Sequence, residues 1–569
     1  MQKQGHFCKH INAPVPDLKG TPMRMILRLF DPDTAQSETV GECAARTGDT
    51  LARAVWLSGL VPPSPLCSGL GRCGRCRVRV SGAQAALLPP LPEDIRLLGE
   101  DAAAEGWRLA CRHTVPDAPQ LTLDVPRTPR RRFREIRRVT DAARELALAV
   151  DLGTTSVWWR ALDPDGATAA SGHFLNPQAG AGADVMSRLA VAREPAGRAR
   201  LSARIRESLR DLVRELAADG VGKTSRLCVA GNTAMTDIFL DRDVSGLCAA
   251  PYRRSHEGGG LETVPDLPPV YIPPLPAPFV GGDISAGVAA LASHMPRPFV
   301  LADMGTNGEL ALLDGQDRLF LTSVPLGPAL EGIGPECGHM AGPDSITEFS
   351  LSPLGLVGRT ADGHTVSDGT GVPGRRATPS AAPSSVPPTG ISATGYLSLL
   401  ATLLQIGVLD EDGRFSSRTG VMPVARTLSA SITAHPSGIR LPLPAGLWLS
   451  SADVEELLKV KAAFSLALAT LLEGAGLKAS DLARLCLGGA LGEHVRPEHL
   501  ERLGFLPHGL GARVRAVGNS SLDGAGLLAV DEQARSALRR LCDGASLISL
   551  TDAPGFHEAY VRHMRLAWC

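Results

Sequence analysis

Residues 146–163 read LALAVDLGTTSVWWRALD, and residues 300–314 read VLADMGTNGELALLD. Asp151, Gly153, Thr154 and Thr155 of the first stretch align with Asp303, Gly305, Thr306 and Asn307 of the second at a constant offset of 152 residues. Each stretch is an apolar strand, a tight Asp- and Gly-containing turn and a second apolar strand, which predicts a β-hairpin. In such a turn, backbone N–H groups and threonine hydroxyls can meet a phosphate while the Asp faces a metal ion and its waters. One such turn says little, because Asp–Gly turns are common. Two in register predict two homologous subdomains whose hairpins clamp the phosphates of a nucleotide from both sides; a solenoid would repeat at a shorter period. No G-x4-G-K-[ST] occurs, so the hairpins are not strand-to-helix P-loops.

Toward the N-terminus, Cys67-Ser-Gly-Leu-Gly-Arg-Cys73-Gly-Arg-Cys76 runs into Arg77-Val-Arg-Val80, and a fourth cysteine ends Trp107-Arg-Leu-Ala-Cys111. Five residues separate the first pair, two the second and 34 the last. Plant-type ferredoxins hold two irons on C-x4-C-x2-C plus a distant cysteine, and this chain has one residue more in the first loop. Gly69, Gly71 and Gly74 supply the positive-φ freedom and inward N–H groups that a loop around sulfide ions needs. The flanks fit a β-grasp order: a strand at Met25–Phe30, helical spacing at Thr50–Leu57, and strands at Arg77–Val80 and Leu121–Val125. A zinc site is the competing reading; it favours two C-x2-C knuckles, and only one is present. We therefore expect a [2Fe–2S] cluster on Cys67, Cys73, Cys76 and Cys111 within a ferredoxin-like domain at 24–126, with Trp107 packed in its core.

The rest of the 569-residue chain sets limits. With 58 basic and 59 acidic residues there is no reason to expect nucleic-acid binding. No apolar run approaches the roughly 18–20 residues that span a bilayer, and MQKQGHFCKHINAPVPDL has no signal-peptide apolar region. The expectation is a cytoplasmic protein with no membrane partner. Cys8, Cys43, Cys228, Cys248, Cys337, Cys486, Cys542 and Cys569 are scattered singly and read as buried hydrophobes or surface thiols. Residues 1–23 read as a tail. Arg127–Arg138, with seven arginines and one glutamate, falls in a solvated linker at 127–145, or alternatively offers a docking face to an acidic redox partner. Two lobes are then expected at 146–296 and 297–569, the second interrupted by a Gly/Ser/Pro-rich disordered insertion at 357–390. Helical apolar spacing marks Leu201, Ile205, Leu209, Leu212, Val213 and Leu216, and again 451–475, with Gly474 or Gly476 as cap.

The paired hairpins resemble the phosphate motifs of the actin, sugar kinase and Hsp70 ATPase fold, which has two ribonuclease H-like lobes. That resemblance implies a multidomain α/β and α+β chain, a β-grasp ferredoxin-like domain followed by this ATPase. Asn176-Pro-Gln178 with Gly182-Ala-Asp-Val185, Gly231-Asn-Thr-Ala-Met235, Phe279-Val-Gly-Gly-Asp283, Gly327-Pro-Ala-Leu-Glu-Gly332, Leu487-Gly-Gly-Ala-Leu-Gly492 and Gly518-Asn-Ser520 resemble motifs of one branch. A ferredoxin domain joined to this ATPase is the pattern of the reductive activators of corrinoid proteins. The resemblance covers nearly the whole chain and implies an enzyme that uses ATP to drive one electron onto an inactive Co(II) corrinoid protein of a methyltransferase system, restoring Co(I). It further implies ATP, Mg²⁺ and a low-potential electron donor, and leaves a homodimer open. In that reading Cys67, Cys73, Cys76 and Cys111 carry the electron, and Asp151 and Asp303 position Mg²⁺ and the attacking water. Gly153, Thr154, Thr155, Gly305, Thr306 and Asn307 hold phosphates, Gly488 and Gly489 let the backbone approach adenosine, and Glu309 helps to orient water. The chain departs from the pattern in its short join between ferredoxin and first hairpin, and in Gly390-Ile-Ser-Ala-Thr-Gly395, which keeps only the outer glycines of G-x-C-G-S-G. A sugar-kinase-like phosphotransferase with a regulatory redox domain, and an ATP-gated cofactor-assembly protein, are the rival functions.

Overall fold

Alternation along Pro22–Asp31 puts Met23, Met25 and Leu27 on one buried face, and the segment forms strand β1. The structure, a computed structural model, describes residues 22–32, 34–64, 69, 71, 74–127, 132–136, 144–182, 184–305, 307–353, 355–367, 388–416, 422–435, 438–550 and 555–569, without the side chains of residues 132, 328 and 490. Cys67, Cys73 and Thr306 therefore lie outside the described residues, as do residues 1–21 of the expected tail, whose last two residues instead open β1, and most of the insertion. Two compact units result: the described residues up to Asp283 with Ala525–Asp531, and Ile284–Gly524 with Glu532–Cys569.

In the first unit β1 pairs antiparallel with β2 (Gln36–Arg46) and parallel with β5 (Gln120–Pro126). Helix α1 (Leu51–Trp56), strand β3 (Arg77–Arg79), helix α2 (Pro92–Leu98) and strand β4 (Trp107–Leu109) lie between, and the sheet order is β2-β1-β5-β3-β4. This is the β-grasp arrangement. Trp107 departs from its expected place: it is half-buried outside the apolar core, edge-on to Phe30 at 5.6 Å, with the Arg79 guanidinium over both rings. Its strand register sets it opposite Arg79, so cation–π contact replaces core packing.

The same unit holds a seven-stranded sheet of β6 (Arg132–Ile136), β7 (Glu145–Leu152), β8 (Ser156–Leu162), β9 (Thr168–Leu175), β10 (Lys223–Ala230), β11 (Gly260–Glu262) and β12 (Val270–Ile272), in the order β11-β12-β10-β7-β8-β9-β6. Strands β7, β8 and β9 form an antiparallel meander, and β10 then β12 add in parallel on the other side of β7. Helices α3 (Val185–Ala192), α4 (Pro195–Ala218) and α5 (Thr233–Phe239) make the crossovers. On α4, Leu201, Ile205, Leu209, Leu212 and Leu216 are buried and Val213 half-buried, as its spacing predicts. The Arg-rich join is not simply a linker. Arg132–Ile136 pairs antiparallel with β9, and Arg134 makes ion pairs with Asp219 and, at 3.9 Å, Glu215 on α4. An unpaired sheet edge beside it outweighs the solvation of its arginines.

In the second unit β13 (Phe299–Met304), β14 (Asn307–Leu313) and β15 (Leu319–Pro325) repeat the meander. Two smaller sheets follow: β16 (Ser345–Ser352), β17 (Gly355–Thr360), β18 (Thr365–Val366) and β19 (Gly390–Ile391), then β20 (Thr433–His435), β21 (Gly438–Pro442) and β22 (Trp448–Ser450). The expected disordered insertion is thus ordered at both margins: a turn with Gly363 at φ +88° closes β17 onto β18, and 368–387 lies outside the described residues. Helix α6 (Ala393–Gln405) follows β19, and the buried helix α7 (Ser451–Gly474) begins at a capping box of Ser450 and Asp453. Strands β23 (Arg484–Gly488), β24 (Val514–Ala516) and β25 (Ser546–Leu547) complete the sheet β24-β23-β13-β14-β15-β25 before the terminal helix α8 (Phe556–His563). Without the outer strands β6, β11 and β25, each large sheet runs fifth-fourth-first-second-third with the same directions, as the duplicated hairpin predicts.

Candidate cluster and nucleotide sites

The cysteine loop leaves α1, whose first turn is capped by the Thr50 hydroxyl accepting from the Arg53 amide at 3.3 Å. Gly69, Gly71 and Gly74 take φ of +85°, +65° and +64°, the left-handed curl expected of a loop folded around a group. The loop ends at buried Cys76, whose carbonyl accepts from the Ala110 amide at 3.0 Å and so brings Cys111 alongside. Two residues absent from the sequence reading hold Cys111 in place. Asp94, fully buried, accepts from the Leu109 amide at 2.7 Å, the Leu91 amide at 2.8 Å and His113 Nε2 at 2.7 Å. Arg112 reaches Glu93 at 2.9 Å, and its Cδ would lie 2.8 Å from a Cβ on Gly71. The described part of the loop curls at three glycines and ends at Cys76, hydrogen-bonded to the residue before Cys111, and thiols so placed fit an iron–sulfur group.

In the first hairpin β7 and β8 pair from Ala147–Leu162 to Leu152–Val157, and Gly153, Thr154 and Thr155 make the connection. A Cβ on Gly153 would stand 2.6 Å from the Ser156 carbonyl, so only glycine fits. Asn176 Nδ2 donates to the Gly153 carbonyl at 2.7 Å and the Asn176 amide to the Thr155 carbonyl at 2.9 Å, while Arg188 donates to the Thr154 carbonyl. Gly231 follows β10 directly, and a Cβ on it would lie 3.0 Å from the Leu152 carbonyl, a tight contact. The Phe279–Asp283 motif packs on this turn: a Cβ on Gly281 would fall 2.4 Å from Asn232 Cα, and the Gly282 amide donates to the Gly231 carbonyl at 2.8 Å.

In the second hairpin the connection is one residue shorter, and the Gly305 amide donates to the Asn307 carbonyl at 3.0 Å within it. Asp303 lies directly across from buried Glu309, and in parallel register with Gly488. Gly489, at φ +75°, would carry a Cβ 3.0 Å from Asp303 Oδ1. The second unit therefore gathers Asp303, Glu309, Gly488 and Gly489 at one end of its sheet. The two glycines kept from the G-x-C-G-S-G pattern are those without space: Cβ atoms on Gly390 and Gly395 would lie 2.6 Å from His339 Cβ and 2.4 Å from the Ile346 carbonyl.

Burial pushes the thiols of Cys337 and Cys542 up to about 12 and that of Cys486 up to about 11. These behave as packing groups, not thiolate ligands. Burial also lowers the His173 imidazole, which lies tilted against Trp158, ring centroids 4.2 Å apart, beside the first hairpin.

Fold and sites together define a two-lobed ATPase of the actin, sugar kinase and Hsp70 class carrying an N-terminal ferredoxin-like domain. The model of the C-terminal domain of RACo, the ASKHA domain, matches residues 297–568, and the RACo middle region matches 146–296. The chain belongs to this family, the reductive activators of corrinoid proteins. It is 26% identical over 441 residues to the corrinoid activation enzyme RamQ of Eubacterium limosum, covering 73% of this chain and 69% of that protein. It is 26% identical over 342 residues to the [Co(II) methylated amine-specific corrinoid protein] reductase of Methanosarcina barkeri, covering 56% of this chain and 57% of that relative. A solved reductive activator for corrinoid, iron–sulfur protein shares the fold at a TM-score of 0.60 and 22% identity, over 95% of this chain and 98% of that one. Among the described residues no helix is long and apolar enough to cross a membrane.

Proposed function

We propose that the chain is an ATP-dependent reductive activator that returns an inactive Co(II) corrinoid protein of a methyltransferase system to Co(I), drawing on a low-potential electron donor. The observation that carries this is the join, in one chain, of a β-grasp domain with a glycine-curled cysteine loop to two lobes that each present an Asp-Gly hairpin. The two relatives named above are a corrinoid activation enzyme and a corrinoid protein reductase. The domains are taken as 24–126, a join at 127–145, and lobes at 146–296 and 297–569.

Cys67, Cys73, Cys76 and Cys111 would hold a [2Fe–2S] cluster, which when bound supplies one electron at a time at about −400 mV. The protein's part is to fix Cys111 through Asp94 and Arg112, and to aim loop amides at the cluster's negative charge. Asp151 and Asp303 would position Mg²⁺ and water; Gly153, Thr154, Thr155, Gly305, Thr306 and Asn307 would hold the phosphates of ATP; and Gly488 and Gly489 would admit the adenosine. Asp303 and Glu309, side by side, supply the paired carboxylates that a hydrated Mg²⁺ favours. Each ~59 mV of uphill potential costs a factor of ten, so the chain must bind the Co(II) and Co(I) partners differently, and ATP must reset that difference.

The test is anaerobic. Iron and acid-labile sulfide are assayed in equal amounts on the purified chain, and ATP turnover is measured with a Co(II) corrinoid protein and with a panel of sugars. Turnover stimulated by the corrinoid protein supports the proposal; phosphorylation of a sugar would replace it with the phosphotransferase reading.

A further inference from the structure

The carbonyls of the first phosphate loop are all held from behind. Gly153, Thr154 and Thr155 are the entire connection between β7 and β8, and each of their carbonyl oxygens accepts a hydrogen bond from Asn176 or Arg188. These donors are themselves fixed. Asn176 Oδ1 accepts from the Gln178 amide at 2.9 Å, and Gln178 Nε2 donates to the Leu201 carbonyl at 3.1 Å. Arg188, on α3, donates through Nε to the Gly182 carbonyl at 3.1 Å and through Nη1 to Gln178 Oε1 at 3.3 Å. Asn176, Gln178 and Arg188 are each 0% exposed, so none of them meets solvent.

A planar trans peptide points its C=O and N–H in opposite directions. Carbonyls drawn back into the protein therefore turn the amides that follow them outward, where they and the threonine hydroxyls can meet an anion. The buried guanidinium adds positive charge one peptide behind that surface, at a depth where water screens it weakly.

We propose that Asn176 and Arg188 are positioning residues for the nucleotide's phosphates, setting the loop's peptide planes before the nucleotide arrives. They act through Gly153, Thr154 and Thr155 and make no contact with the nucleotide themselves. The proposal rests on the loop being the phosphate site proposed above. It gives a physical task to Asn176-Pro-Gln178 and to the helix that begins after Gly182-Ala-Asp.

The test uses the full chain with Mg-ATP and adenosine as probes and two conservative variants. Asn176→Asp keeps the shape but replaces the donor to Gly153 with an acceptor; Arg188→Lys keeps the charge but loses the planar fork. Both are expected to weaken Mg-ATP binding by about tenfold to a hundredfold, to change adenosine binding less than twofold, and to leave the cluster's visible absorbance unchanged. Unaltered Mg-ATP affinity, or equal loss for ATP and adenosine, overturns the proposal. Failure of the unaltered chain to bind Mg-ATP would instead overturn the nucleotide reading. Amide exchange in the unaltered chain supplies a measurement free of variants: the outward amides of residues 154–156 should exchange fast before nucleotide is added and slowly once Mg-ATP is bound. Exchange at these amides that is already slow without nucleotide, or that Mg-ATP leaves unchanged, would contradict amides turned outward to the phosphates.

Discussion

The two hairpins share strand order and an Asp at the end of the first strand, yet they are built differently. The first has a three-residue connection held by buried Asn176 and Arg188, with Asp151 paired across to Trp158. The second has a two-residue connection, spends the Gly305 amide inside the turn, and pairs Asp303 across to Glu309. A single deleted residue shifts the register, so a carboxylate faces a carboxylate in one unit and an indole in the other. Duplication kept the scaffold; we propose that the first hairpin serves as the anion holder and that the second, with its two facing carboxylates, serves the metal ion and water.

If that division holds, removing the second carboxylate has the largest effect. Asp303→Ala should cut ATP turnover by about a thousandfold and Asp151→Ala by about a hundredfold, read by phosphate release; equal losses would erase the distinction. Next, Gly153→Ala should destabilise by about 1–3 kcal/mol, because its Cβ would sit 2.6 Å from the Ser156 carbonyl. Gly305→Ala, with nothing nearer than 3.7 Å, should stay within about 0.5 kcal/mol. Urea unfolding of the two variants gives the contrast directly. Gly489→Ala, at φ +75° and against Asp303, should cost about 1 kcal/mol and raise the KM for ATP, measured by steady-state turnover.

A last effect concerns pH and falls outside the two hairpins. Burial, with the charges of Lys461 and Arg562, lowers His563 to about 4, and burial lowers Lys461 to about 8; both tie α8 to α7. Between pH 6.5 and about 4 the unfolded chain binds a proton at His563 that the folded chain refuses. Stability should therefore fall as pH falls through that window, by at most about 1.4 kcal/mol per pH unit. His563→Gln should flatten this slope in urea melts followed by tryptophan fluorescence. Between about pH 8 and 10.5 the unfolded chain retains the Lys461 proton, so that group's contribution should rise with pH.

Much of the fold was legible because its signals are periodic or repeated. The 152-residue offset exposes the duplicated meander, and the apolar spacing of α4 and α7 marks buried faces. Strand β6 was hidden because five arginines within Arg130–Arg137 mask the alternation of Phe133 and Ile136, and only the vacant edge of β9 selects the extended form. Arg188 was hidden because an arginine on a short helix reads as solvated; its burial depends on carbonyls brought near by the hairpin. Asn176 stood in a recognised Asn-Pro-Gln pattern, which signals a role without stating which loop it serves. Glu309 could be placed opposite Asp303 only by counting the missing loop residue. Asp94 and His113 gave no motif at all, since their pairing is made by tertiary packing.

The most direct test of the central claim follows cobalt itself. The reduced chain is mixed without oxygen with a Co(II) corrinoid protein, and Co(I) absorbance is recorded with and without Mg-ATP. The account predicts Co(I) only with ATP, and none with Cys76→Ala or Asp303→Ala. Co(I) forming equally well without ATP, or failing to form despite an intact cluster and partner-stimulated ATP turnover, would contradict it.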